Sequence, residues 1–178
     1  MKTLISTLLL IFISISCSLG QDSDKSEVGI RMNSLNSFDL LFKKKIFENT
    51  YGRLRLANAN INLSGGENQN TRFSMSGSVA LGLEKRKVLT DEFNFIYGIE
   101  GILGGIFNRS RETNTGSYRA GLGLVIGWNY RLSNSITLGV ETIPTLIYSR
   151  NYGSANSTHN IVAGFNTGGV SLTATYRY

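Results

Sequence analysis

The sequence is poor in the residues that usually staple or activate a small domain. Its 178 residues include one cysteine, Cys17, one proline, Pro144, and one histidine, His159. A single thiol excludes a disulfide framework, CxxC redox chemistry and thiolate metal sites. With one histidine and no His/Asp/Glu cluster at ligand spacing, no metal and no cofactor are expected. No apolar run reaches the roughly 20 residues of a transmembrane helix. Acidic residues are the scarcer charges, 12 against 18 basic ones, so the net charge is +6. The basic residues nevertheless form no run interleaved with aromatics, and no nucleic-acid partner is expected.

What is present begins with "MKTLISTLLLIFISISCSLGQD". Lys2 supplies a positive n-region, Leu4 to Ile15 an apolar h-region, and Ser18-Leu19-Gly20 a small-x-small cleavage site before Gln21. The expectation is a signal peptide over 1–20 and one domain over 21–178. Cys17 would then leave with the signal. A lipidated Cys17 is the alternative, although "SIS" makes a poor lipobox.

From Glu27 onward, residues alternate between apolar and small or polar, the period of a strand with two unlike faces. Strands are expected near 27–33, 37–47, 50–64, 72–89, 93–110, 117–132, 136–150 and 160–178. Tight connections at Glu48-Asn49, Thr90-Asp91-Glu92 and Ser133-Asn134-Ser135 alternate with longer polar ones, "GGENQN", "RETNTG" and "NYGSANSTHN". Short turns on one side and longer loops on the other suit an up-and-down barrel in an outer membrane. Pro144 falls mid-strand, and the apolar parity switches between Leu56 and Ala57; a bulge is expected at each.

The aromatic residues decide which face is outside. On the bulky parity, Phe93, Phe95, Trp128, Tyr130, Tyr176 and Tyr178 fall near the tight-turn end, and Phe73, Phe107, Tyr118 and Tyr148 near the loop end. Leu81, Ile99, Leu103, Leu124, Ile126, Val140 and Leu172 fill the middle. Two aromatic girdles around an aliphatic belt describe a lipid-facing exterior, whereas a soluble core would scatter the rings. The fold expected is all-β, an up-and-down eight-stranded antiparallel transmembrane barrel.

The last residues, "VSLTATYRY", place Tyr178 after alternating apolar positions and resemble the C-terminal signal of Gram-negative outer-membrane proteins. That resemblance implies the barrel-insertion machinery as a partner of the last strand, which would close the barrel against the first. Taken with strand count and size, residues 21–178 resemble small eight-stranded outer-membrane barrels of the OmpA/OmpX type. "LGQD", "VGIRMNSL" and "ALGLEKRK" look like the corresponding stretches of Bacteroidetes-type members. The resemblance implies an outer-membrane location, a monomer, and contact with outer-membrane lipid and lipopolysaccharide. It implies no activity, because a fold does not specify one.

The inward parity collects Glu27, Arg31, Asp39, Lys43, Glu84, Arg86, Glu100, Arg119, Arg131, Glu141 and Arg177. A barrel of about eight strands is just wide enough for side chains to fill it. Charges there must pair, so a salt-bridge network is expected, with Glu100 and Glu141 each beside an arginine. The first functional reading is a non-enzymatic structural or surface-interaction protein with a filled lumen; the alternative is a narrow porin-like channel for small solutes or ions. An outer-membrane enzyme is a distant third. It would have to use His159, near Ser154, Ser157 and Thr158, with Glu67 or Glu112 as orienting partner. Tyr152, Arg109 and Arg111 are possible anchors for recognition in the loops, and Arg109, Arg111 and Arg150 could meet lipopolysaccharide phosphates.

Overall fold

The computed structural model describes residues 26–34, 36–66, 69–109, 114–153, 157–165 and 169–178. The signal segment and Cys17 lie outside them. Ten strands follow in chain order: β1 (Ser26–Ser34), β2 (Ser37–Phe47), β3 (Thr50–Gly66), β4 (Gln69–Val88), β5 (Phe93–Arg109), β6 (Asn114–Arg131), β7 (Ile136–Thr142), β8 (Pro144–Tyr152), β9 (His159–Phe165) and β10 (Ser171–Arg177). Every pairing is antiparallel, and β1 to β6 each join the next strand in the chain. β7 and β8 both lie against β6, as two halves of one wall position; β9 and β10 are the halves of the next. β10 then pairs with β1, from Glu27↔Arg177 to Met32↔Leu172. The sheet is a closed barrel of eight wall positions with up-and-down order. The β10–β1 pairing leaves no edge at its own level, whereas on the loop side β9 pairs with β8 alone and β3 beyond Leu56 with β4 alone.

Local chemistry explains the tight turns. Ser133 Oγ accepts from the backbone of Ser135 at 3.3 Å and of Ile136 at 3.0 Å. Thr90 Oγ1 likewise accepts from Phe93 N at 3.1 Å. Such side chains take up the backbone donors that a reversing chain exposes. At the other end strand pairing runs on into the polar segments. β3 and β4 continue to Gly66↔Gln69, and β5 and β6 to Arg109↔Asn114, because continued pairing satisfies backbone groups that a loop would leave to water. β2 stops pairing with β3 at Leu40↔Leu56, so the wall is low at β1–β2 and tall elsewhere.

Both irregularities expected from the sequence have a structural counterpart. β3 gains one residue between Ala57 and Asn60, which face Ser78 and Ser76 of β4. This bulge carries the outward set from Leu54 and Leu56 to Ile61 and Leu63 without turning the strand over. At Pro144 the ladder to β6 keeps its register, from Gly123↔Thr145 to Ile126↔Thr142. The register changes on the other side instead, from Pro144↔Phe165 to Glu141↔Ser171, so the irregularity lies with the facing strands β9 and β10 rather than in the ladder to β6. That placement fits a residue with no N–H to offer the neighbouring ladder.

The barrel is inverted relative to a soluble domain. Leu81, Leu103, Leu122, Leu124, Leu146 and Leu172 are each more than half exposed. The buried side chains are mostly charged or hydroxylated, and the apolar ones inside reduce to a small cluster of Ile96, Val125 and Ile143 with a few neighbours.

Glycines make room for the buried carboxylates. Gly98 is the register partner of Glu84, Gly82 and Gly123 flank Glu100, and Gly127 faces Glu141. A Cβ at Gly82 would meet Glu100 Cα at 2.8 Å, a contact that backbone cannot relieve cheaply. Gly82→Val is therefore expected to lower the stability of the folded barrel by about 1–3 kcal/mol, read as a reduced urea midpoint. Gly101→Val, whose Cβ has only Leu81 O at 3.8 Å as a neighbour, should leave the midpoint nearly unchanged.

Candidate functional site: a charged lattice across the lumen

β3 puts Gly52, Leu54 and Leu56 on the outer face, so Arg53 and Arg55 point inward. Arg53 has no exposed side-chain surface and reaches three carboxylates. Its Nη1 and Nη2 donate to Glu141 at 3.2 and 3.0 Å, and Nη1 also donates to Glu84 Oε2 at 3.1 Å. Its Nε lies 3.5 Å from Glu100 Oε2. From Glu141 the chain of charges returns through Arg31 Nε at 2.7 Å, then Arg31 Nη1 to Asp39 Oδ2 at 3.3 Å. Arg55 Nη1 donates to the same Asp39 oxygen at 2.9 Å, and Arg55 Nη2 pairs with Glu100. Six side chains of alternating sign, drawn from β3, β7, β1, β2 and β5, thus close a ring across the barrel.

A branch runs from this ring toward the tight-turn end. Glu84 binds Lys43 Nζ at 2.7 Å and Arg86 Nε at 2.9 Å. Arg86 then makes a paired contact with Glu27, 2.8 Å for each nitrogen, and its guanidinium lies 3.7 Å over the Tyr51 ring. Arg177 adds a second partner for Glu27 at 3.2 Å, nearer the mouth. Ring and branch contain five buried carboxylates, Glu27, Asp39, Glu84, Glu100 and Glu141. Each lies against at least one arginine, which is the condition for keeping an ion out of water. Asp39 Oδ1 and Arg55 Nε have no hydrogen-bond partner among the described residues.

Most of the inward residues read from the sequence are brought together here: Glu27, Arg31, Asp39, Lys43, Glu84, Arg86, Glu100, Glu141 and Arg177. Two inward candidates are not. Arg131 is exposed at the end of β6, where the wall stops and water reaches it; Asn129 is the last buried inward residue of that strand. Arg119 is half-buried in the space left by Gly104, where no ion pair joins it to the lattice among the described residues.

Arg53 and Arg55 are the lattice members that sequence reasoning missed. Their signal was available in "YGRLRLA", where both are out of phase with the two leucines. The parity switch that follows drew attention to a bulge instead.

The aromatic residues lie on the outer face as the strand parity places them. Phe93 packs on Tyr130 at 4.9 Å and Phe95 on Trp128 at 5.8 Å near the turns, with Tyr176 and Tyr178 exposed at the same end. Phe73 and Phe107 meet at 6.5 Å near the loops, where Tyr118 and Tyr148 are also exposed.

His159 sits at the start of β9, with its Nδ1 2.6 Å from Tyr148 Oη. Thr158 Oγ1 accepts from Asn151 Nδ2 at 3.0 Å and so is turned to that amide rather than to the imidazole. Glu67, Glu112, Ser154 and Arg111 lie outside the described residues. Among the described ones no carboxylate meets the His159 ring. Arg109, Arg150 and Tyr152 are exposed at the loop end. No group of three or more metal-ligating side chains occurs among the described residues.

No protein-family model matches the chain, and no curated protein matches it. Among solved structures it is similar to the crystal structure of Ail, the attachment invasion locus protein of Yersinia pestis. The identity is 12% and the TM-score 0.40, over 86% of this chain and 94% of that one.

Removing a central member of the lattice should be costly. Arg53→Ala leaves three buried carboxylates short of a partner and is expected to destabilise the barrel by about 3–5 kcal/mol in urea unfolding. Arg119→Ala, outside the lattice, should change the same midpoint by less than about 1 kcal/mol.

Proposed function

We propose that the protein is a monomeric, non-enzymatic barrel of the outer membrane whose lumen is filled by side chains, with a structural or surface-interaction role. The observation that carries this reading is the inversion of the wall: a closed charge lattice inside and an exposed aliphatic belt between two sets of aromatic rings outside. In water that exterior would be a very large apolar surface on a monomer, far beyond the few hundred Å² usually tolerated. In a bilayer it is matched, and closure satisfies the backbone that lipid cannot.

The lattice favours a closed lumen over a conducting one. Arg53, Glu84, Glu100 and Glu141 have no side-chain surface open to water. A narrow channel remains the second reading, and it would require the lattice to part. In the reading preferred here the taller wall, with Arg109, Arg150 and Tyr152 on it, faces outward from the cell. Exposed guanidinium groups at that level suit lipopolysaccharide phosphates. β10, with Tyr176 on the outer face, is the strand that the insertion machinery would recognise.

Three measurements test these statements. The purified outer-membrane fraction should contain the protein, and the unboiled band should migrate differently from the boiled one on an SDS gel. A soluble periplasmic protein with no shift would reverse the assignment of the faces. Planar-bilayer recordings of the folded protein should show no steady single-channel current; a reproducible one would replace the filled lumen with the channel. Leu124→Arg, in mid-belt, should destabilise the barrel folded in lipid vesicles by about 2–4 kcal/mol.

A further inference from the structure

Two shallow apolar grooves score the outer wall on its turn-side half, with Leu83 of β4 as the ridge between them. Phe42, Ile46, Leu54, Leu81 and Tyr178 border the first, about 460 Å³ in volume. It exists because Gly52 has no side chain; a Cβ there would meet only the flexible end of Ile46 and, further off, Lys44 O. Tyr97, Ile99, Leu124 and Ile126 border the second, about 390 Å³. The groove floors lie near β3 and β5, two strands and so about 10 Å apart.

The second groove ends at Lys85, and Lys44 lines the first. Lys85 follows Leu83 by two residues on the outer face of β4, opposite Thr50 on β3 and Tyr97 on β5. Lys87 comes next, opposite Phe95, and both lysines are exposed. Lys44 stands across from Gly52 on β2. Glu84 and Arg86 alternate with the two lysines but point into the lumen. Glu27, which borders the first groove, is buried toward the lumen with Arg86, and Glu48, Asp91 and Glu92 lie in the turns beyond the strands.

We propose that this is a binding site for one anionic glycerophospholipid of the periplasmic leaflet. Its two acyl chains lie on either side of Leu83 and its phosphate meets Lys85 and Lys87. The proposal rests on the outer-membrane reading above and adds to it a preferred lipid and a place for it. Three features point to this occupant together: two apolar troughs flanking one ridge, basic side chains at the level of the aromatic ring Tyr97, and no outward carboxylate side chain between them among the described residues. A zwitterionic headgroup would set its own cation against the lysines. A lysine side chain can lay its methylenes on the apolar wall while its ammonium reaches the headgroup region.

The test starts with the refolded full barrel and vesicles of phosphatidylcholine containing phosphatidylglycerol. Flotation with the vesicles is expected; a protein that stays in solution overturns both this site and the outer-membrane reading. Native mass spectrometry is then run from micelles holding equal amounts of phosphatidylglycerol and phosphatidylcholine with the same acyl chains. The wild-type barrel should retain one phosphatidylglycerol in preference to phosphatidylcholine. The Lys85→Glu/Lys87→Glu variant should lower that preference at least about tenfold, the expectation for two basic residues near an anionic surface. Gly52→Leu, which fills one groove and keeps both lysines, should also reduce retention of the phosphatidylglycerol. A barrel that floats but holds the two lipids equally, or whose preference survives the double charge reversal, overturns the site and leaves the outer-membrane reading standing.

Discussion

Arg53 is the point on which the interior of this barrel turns. A guanidinium offers five donors in a rigid fork, and here it lies at ion-pair distance from Glu84, Glu100 and Glu141, which belong to three different strands. β4 and β5 are neighbours but β7 pairs with neither, so no cross-strand pair could tie all three together. A side chain reaching across the lumen can. The ring through Arg31, Asp39 and Arg55 extends the tie to β1 and β2, the low side of the wall. Polar contacts in the lumen thus do the work that apolar contacts do in a soluble core, in a place where the apolar residues are needed outside.

The exterior follows from the same division of labour. Every lumen charge is next in sequence to outward residues, and on β4 the alternation runs Leu81, Leu83, Lys85, Lys87 outside against Ala80, Gly82, Glu84, Arg86 inside. The outward run turns from aliphatic to basic toward the tight turns, where, in the outer-membrane reading proposed above, a headgroup replaces acyl chains. In that reading one strand records two solvents on one face and the lumen on the other. Aromatic residues mark the same boundary on β5 and β6, where Phe95 and Trp128 pack edge to face.

Much of this architecture was legible in the sequence because a period of two is hard to hide in strands this regular. The eight expected strands match the eight wall positions, and the terminal aromatic residues fall outside as alternation places them. The parts that were not legible have physical causes. The bulge after Ala57 inverts parity in mid-strand, so Arg53 and Arg55 were read together with the irregular stretch that follows them rather than as inward charges. The irregularity near Pro144 lies with the facing strands, a relation that no local reading can supply. Polar segments such as "GGENQN" look like loops by composition, yet hairpin pairing carries strand structure into them. Arg119 and Arg131 have inward parity, but parity does not tell how far along the strand the lattice extends.

The glycines opposite the glutamates bear on how the chain finds its alignment. Glu84 faces Gly98, and Gly82 faces Glu100, so the two hairpin arms β4 and β5 interlock a large charged residue with an empty position twice over. If β4 slid by one residue, Glu84 and Arg86 would be turned to the apolar outer face. If it slid by two in one direction, Glu84 would stand directly against Glu100, carboxylate to carboxylate. These two wrong alignments are thus penalised by charge before any packing is complete. The hairpin carries its own proofreading, written as a lock of acid and glycine, and an assembling barrel can reject a misthreaded pair of strands while it is still open to correction.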